Sequence, residues 1–172
     1  MIHIRTAVPA DAPRLRTIHE ASWRDAYARF VPPAAMGAPL DRVMARRWDV
    51  WPQDRTIFVA QSDEILGFAA LIHGTAQGDL DNLHIDPRAR GRKIGSALLR
   101  HSAAYVLAQG GARLHLEVLA GNAGARRFYR AHGGAEGPAK DDKLLGYPAD
   151  YVAMTWSGKA LHDLAQPEHT PA

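Results

Sequence analysis

Between Arg88 and Gly95 the chain reads R-A-R-G-R-K-I-G, with three arginines, one lysine and two glycines ahead of an apolar run. A turn from a strand into a helix leaves several backbone N–H groups without partners, and the helix dipole points its positive end at them. Small residues let a ligand approach that backbone closely. Arg90, Arg92 and Lys93 add charge. Phosphate or diphosphate suits such a place. The spacing is neither the G-x-x-x-x-G-K-[ST] phosphate loop nor the G-x-G-x-x-G of a dinucleotide fold. A solvated basic turn is the plain alternative, and these residues alone leave both open.

The elements that must position this turn follow from periodicity. MIHIRTA reads as a short strand with Ile2 and Ile4 on one face. In the stretch from Pro9 to Phe30, Leu15, Ile18, Ser22 and Ala26 form one stripe with Trp23 and Tyr27 beside it, which predicts a helix capped by Asp11 with Pro13 in its first turn. VPPAAMGAP breaks it, and LDRVMARRWDVW predicts a second, shorter helix. TIFVAQ and ILGFAALIH, joined by SDE, give a hairpin signal. GDLDNLHID alternates Leu80, Asn82 and His84 against Asp81, Leu83 and Ile85, the pattern of a further strand. A helix from Ile94 to the Gly110–Gly111 pair, a strand over ARLHLEVL and a helix closed by Gly133 and Gly134 come next. DYVAMTW predicts the last strand, and residues 158–172 read as a loose, flexible tail after a single domain over 1–157.

Bulk properties set the class. A length of 172 residues suits one domain, and a 47% apolar, 23% charged composition is that of a globular chain. No apolar run has the length of a membrane span, and the N-terminus lacks a signal-peptide layout, so a cytoplasmic location is expected, without a membrane partner. With no cysteine, disulfides, thiolate metal sites and a cysteine nucleophile are excluded. His19, His101 and His115 lack ligand spacing with carboxylates, so no metal is expected. The net charge of +3 tolerates an anionic ligand without demanding nucleic acid.

Two motifs together carry a resemblance. Ile85-Asp86-Pro87 followed by Arg90-x-x-Lys93-x-Gly95 resembles motif A of the GNAT superfamily of N-acetyltransferases, and Leu116-Glu117-Val118, Asn122 and Phe128-Tyr129 resemble that family's next motif, in the right order with a helix between. Two departures stand out. Lys93 occupies a usual glycine position, and Gly134 replaces an aromatic residue, for which looser packing is expected. The resemblance implies an α/β (α+β) fold with a mixed, mostly antiparallel sheet of about six or seven strands flanked by about four helices. It also implies an acetyl-CoA-dependent acyltransferase acting on an amine.

The resemblance assigns roles residue by residue. The strand edge at Leu83, His84 and Ile85 pairs with the pantetheine arm. Backbone groups of Gly91, Arg92, Lys93, Ile94, Gly95 and Ser96 take the diphosphate, with Arg90 a cofactor-binding residue that adds charge, and Asn122 bonds the cofactor arm. Tyr129 is the candidate general acid: a phenol with an ordinary pKa near 10 stays protonated and can donate to sulfur. A Phe-Tyr pair is otherwise simply core. Glu117 is the candidate base, as in members that resemble ribosomal-protein alanine acetyltransferases; Asp81 and His84 are alternatives. Absence of cysteine makes direct amine attack in a ternary complex the expected path. The acceptor is a small-molecule or protein/peptide amine, met by the first two helices and the loop KDDKLLGYPADY. Two rivals remain: an acetyl-CoA-binding sensor without catalysis, and a basic nucleic-acid module using Arg88 to Arg92 and Arg126 to Arg130. Many family members form homodimers, and no residue pattern here identifies an interface.

Overall fold

The computed structural model describes residues 1–73 and 77–167. The elements are β1 (His3–Thr6), α1 (Ala12–Tyr27), α2 (Ala38–Trp48), β2 (Arg55–Gln61), β3 (Ile65–Ile72), β4 (Gly78–Ile85), α3 (Ile94–Ala108), β5 (Arg113–Leu119), α4 (Ala123–Ala131), β6 (Ala135–Leu144), β7 (Tyr147–Ser157) and α5 (Gly158–Ala165). The seven strands form one sheet in the order β1-β2-β3-β4-β5-β7-β6, antiparallel throughout except where β4 meets β5. This is the expected α/β fold.

Helices cover both faces of the sheet. Leu98, Leu99, Ala103 and Val106 of α3, with Leu161 and Leu164 of α5, pack on one face against Phe58, Leu71, Leu114 and Met154. Leu15 and Ile18 of α1, with Leu40, Met44 and Trp48 of α2, pack on the other against Ile57, Val59 and Phe68. Double burial explains why β2 and β3 are continuous apolar runs rather than alternating ones.

Several expectations change. Residues 158–165, expected to be loose tail, form α5, which seats Leu161 and Leu164 in the core; residues 168–172 lie outside the described residues. The expected loop KDDKLLGYPADY is most of a β6–β7 hairpin. Its two-residue tip, Leu145-Gly146, has φ of 52° and 88°, the signs of a type I′ turn. Leu145 accepts that angle because its side chain packs on the α1–α2 clusters. Asp11 precedes α1 without capping it through its side chain. Its carboxylate instead pairs with Arg5 at 2.8 Å and accepts from the Val8 N–H at 2.9 Å. The space beside Gly134 is filled rather than loose. A Cβ there would lie 2.7 Å from Trp156, which is fully buried and donates its indole N–H to His132 O at 2.8 Å.

Candidate active site

The site begins at an irregularity in β4. Leu71 pairs with Leu80 and Ala70 with Asn82, so Asp81 is the extra residue of a β-bulge. The bulge breaks the expected alternation. Leu80 joins Leu83 and Ile85 on the α3 face, while His84 contacts α1 on the other. Just before the bulge β4 parts from β5: the parallel ladder consists of Gly78↔Leu114 and Asp79↔His115. From Asp81 onward β4 keeps its ladder to β3 only, and its other edge opens into a cleft of about 750 Å³.

That cleft gathers most of the residues singled out above. Leu83, His84, Ile85, Arg90, Gly91, Gly95, Glu117, Asn122 and Tyr129 all line it. At its mouth Gly91 has φ 77° and a Cβ there would meet nothing within 4 Å, so a ligand can lie against the backbone. Lys93 takes φ 59° as it enters α3. The loop is anchored from behind by Asp86. Its carboxylate accepts from Arg88 Nη2 at 2.7 Å and Arg14 Nη2 at 2.8 Å, which ties α1 to the end of β4. The Arg88 hydrogen bond, followed by backbone and Arg14 bonds, holds that carboxyl well below its usual range against the opposing effect of burial. Arg90 forms an ion pair with Asp25 of α1, and both line the cleft.

Arg92, Lys93, Ile94 and Ser96 border a different groove, shared with Ile2 and Ile4 and the end of α5. The Ser96 hydroxyl bonds His132 Nε2 at 2.9 Å. What these four offer the cleft is backbone and charge. Asn122 caps α4, its Oδ1 accepting from Ala125 N–H at 3.2 Å, which leaves the amide NH2 for a ligand.

Glu117 lies on β5 opposite Ala153 and is exposed in the cleft, with no ion pair among the described residues. The alternative bases differ from it. Asp81 accepts from Arg47 and Arg55, each at 2.5 Å, and from Asn82. His84 is buried, with Nδ1 3.0 Å from Ser22 Oγ. Burial, reinforced by Arg47 and opposed by Asp81, lowers His84 to about 3. Tyr129 packs edge-on against Phe128 and Trp156, at 5.2 and 6.0 Å between ring centroids. Burial, with a smaller effect from Tyr27, pushes its phenol well above the ordinary tyrosine value, so it stays protonated. An exposed carboxylate and a neutral phenol facing one cleft can accept and donate a proton in a single transfer. Sequence reasoning passed over Asp25 and Arg29 and met Arg127 only within the basic stretch of the nucleic-acid rival; all three line the cleft.

Residues 15–133 match the family model described as "Acetyltransferase (GNAT) family". The chain belongs to the GNAT acetyltransferase family. It is an acyltransferase, an N-acetyltransferase with acetyl-CoA as its cosubstrate. Among solved structures, PaiA N-acetyltransferase from Thermoplasma acidophilum, in complex with coenzyme A, is similar at 20% identity and a TM-score of 0.74, over 92% of this chain and 99% of that one. The ribosomal-protein-S18-alanine N-acetyltransferase from Escherichia coli is similar at 22% identity and a TM-score of 0.65, over 92% and 97%. The ribosomal-protein-alanine N-acetyltransferase from Brucella melitensis is similar at 21% and 0.67, over 90% and 99%. At these identities the likeness is one of fold. A comparison with curated protein sequences finds no match. The basic residues of the nucleic-acid rival are largely occupied in this GNAT chain: Arg88 pairs with Asp86, Arg126 and Arg130 with Glu136. No helix among the described residues is long and apolar enough to cross a membrane.

Proposed function

We propose that this GNAT chain moves the acetyl group of acetyl-CoA to a primary amine, on a small molecule or a peptide, by direct attack in a ternary complex. The opening of β4 from β5 into a cleft that holds Glu117 and Tyr129 carries this reading. Backbone groups of Gly91 to Gly95 take the diphosphate, with Arg90, Arg92 and Lys93 lending charge. The free edge of β4 at Leu83, His84 and Ile85 pairs with the pantetheine arm as an added strand would, and the Asn122 amide bonds that arm. The amine enters from the α1–α2 side. Glu117 accepts its proton, being the carboxylate of the three candidates not engaged by arginine or burial. The amine nitrogen attacks the thioester carbon, the C–S bond breaks, and Tyr129 protonates the departing sulfur.

The test has two stages. Thermal stability with saturating acetyl-CoA, at about a hundred times its Kd, rises by the equivalent of roughly 2.7 kcal/mol, while adenosine leaves it unchanged. Thiol release with a panel of amines then gives intersecting double-reciprocal lines. Parallel lines would indicate an acyl-enzyme and overturn direct attack. Binding of acetyl-CoA with no amine consumed across monoamines, diamines, amino acids and peptides would favour the sensor.

A further inference from the structure

We propose that Arg29 selects the acceptor: the amine taken by this cleft also carries a carboxylate, as an amino acid does, and Arg29 holds that carboxylate while Glu117 faces the ammonium. This deepens the acetyl-transfer reading given above and rests on it.

Most charges in the cleft are already engaged. Arg90 pairs with Asp25, and Asp81 is held by Arg47 and Arg55. Among the charged side chains that line the cleft, Glu117, Arg29 and Arg127 have no ion pair or hydrogen bond with the described residues. Arg127 belongs to α4, one residue before Phe128, whose ring lies 3.4 Å from where a Cβ on Gly95 would stand. It therefore flanks the turn assigned to the diphosphate. Arg29 stands at the α1 wall, two residues beyond the end of that helix.

Printed contacts of Phe30 fix the place of Arg29. The guanidinium carbon lies 4.8 Å from the centroid of the Phe30 ring. Phe30 packs in the apolar cluster that contains Leu119, the last residue of β5. The same ring lies against the turn after β5. A Cβ on Gly121 would fall 2.5 Å from Phe30 Cε1, so glycine is what leaves the ring room. Strand geometry relates this seat to Glu117. Leu114, Leu116 and Val118 face the α3 cluster, so Glu117 and Leu119 share the opposite face, about 7 Å apart along the strand. A free guanidinium and a free carboxylate are thus presented from one face of the sheet to one cleft.

A guanidinium stacked on an aromatic ring keeps its N–H edge open, and that planar fork matches a carboxylate through two parallel hydrogen bonds. A simple monoamine satisfies Glu117 and leaves Arg29 without a partner. A diamine brings a second positive charge toward Arg29. An amine that bears a carboxylate satisfies both. The carboxylate binds and orients the acceptor without entering the chemistry; the amine proton still passes to Glu117 as the N–C bond forms.

The test uses matched acceptors: glycine, β-alanine and γ-aminobutyrate, each beside its amide, with simple monoamines and diamines, and thiol release as the readout. The amide has the less basic amine, so the supply of free amine alone would favour it. We expect the best acid to exceed its amide by about tenfold or more in kcat/KM, the difference lying in the acceptor KM. Arg29→Met keeps an apolar stem on Phe30 and removes the charge. It should bring that acid down to the level of its amide, with the acetyl-CoA KM within about twofold. Arg29→Lys should recover part of the preference, as a charge without the fork. Arg29 is exposed and has no ion pair among the described residues, so both variants should keep the wild-type thermal midpoint. Equal use of acid and amide by the wild type, a preference that survives Arg29→Met, or a loss confined to the acetyl-CoA KM overturns the proposal. Turnover of monoamines or diamines with none of the acids also overturns it and leaves the acetyl transfer standing. If acetyl-CoA raises the thermal midpoint yet no amine of any class is acetylated, the transfer reading falls with it.

Discussion

Gly91 and Lys93, two residues apart in the turn before α3, both take left-handed backbone, with φ of 77° and 59°. The turn therefore takes left-handed backbone at Lys93, where the resemblance places a glycine. A lysine pays roughly 1 kcal/mol for that conformation, while glycine costs a similar amount in unfolded-chain entropy. The two effects nearly cancel. Any fall in the urea midpoint of Lys93→Gly should therefore measure what the interactions of the Lys93 side chain contribute. If the diphosphate is held by backbone N–H groups, its acetyl-CoA Kd, followed by calorimetry, should stay within about threefold. A tenfold loss would mean that the ammonium supplies the contact.

Tyr129 is buried with its hydroxyl reaching the cleft. Its assigned contribution is one proton in the transition state, and general acids of this kind contribute about 10²–10⁴-fold. Tyr129→Phe should lower kcat by at least about 10² with little change in either KM. Stability should hold, since the Tyr129 hydroxyl has no hydrogen-bond partner among the described residues. Steady-state thiol release gives the kinetic numbers, and a thermal scan of the same sample shows whether the fold is intact.

The choice of base separates Glu117, the candidate from sequence, from Asp81, its alternative carboxylate. Glu117→Gln should lower kcat by about 10² at neutral pH without altering thermal stability, because Glu117 has no ion pair among the described residues. Asp81→Asn removes the carboxylate on which Arg47 and Arg55 converge at 2.5 Å each, leaving Arg55 its bonds to Asp54 and Arg47 without that partner. It should lower the midpoint, by about 1–3 kcal/mol for broken charge-assisted bonds, with the smaller effect on kcat. A reversed pattern would move the base to Asp81.

Much of this site was legible because its signals are local. The R-A-R-G-R-K-I-G turn and the spacing from Glu117 through Asn122 to Tyr129 each lie within one strand–turn–helix unit, so sequence distance reports spatial distance. What escaped depends on partners far along the chain. Asp81 is a bulge only through the β3–β4 register. Tyr27 of α1 and Tyr151 of β7, far apart in sequence, pack against one apolar cluster. The hairpin formed by β6 and β7 has a largely exposed β6, so it carries no apolar run to announce it. The α5 helix contributes two buried leucines in a stretch otherwise polar enough to pass for a tail.

Acid should destabilise the fold earlier than carboxylate titration alone predicts. His19 and His84 are buried with rings 4.4 Å apart. Burial, followed by His84 and Arg47, lowers His19, and burial then Arg47 lowers His84 to about 3. Unfolded histidine titrates near 6.5. Above that pH both states are neutral and stability is flat. Below it the unfolded chain binds protons that the folded one refuses, so stability falls by up to about 1.4 kcal/mol per pH unit for each histidine. The depressed carboxylates, Asp54 at about 2 and Asp86 lower still, add their loss only below about pH 4. Urea midpoints at pH 7.5, 6.5 and 5.5 should therefore show a plateau and then a decline. In His19→Gln the decline should be shallower, the remaining part belonging to His84 and to His101, which burial also lowers.

Gly134 tests whether the missing family aromatic is compensated. A Cβ there would lie 2.7 Å from Trp156 Cζ2 and 3.0 Å from the Tyr129 carbonyl oxygen. Neither neighbour can yield cheaply. Trp156 is fully buried and held by its bond to His132 O, and the Tyr129 carbonyl accepts from the Gly134 N–H at 3.0 Å. Gly134→Ala should therefore cost about 1–3 kcal/mol, the range of overpacked cores, although alanine is small and the residue adjoins a turn. Because α4 ends there and carries Tyr129, the same variant should lose kcat along with stability. An alanine variant as stable as the wild type would show that Trp156 is free to shift, and that the end of α4 is as loosely packed as the sequence suggested.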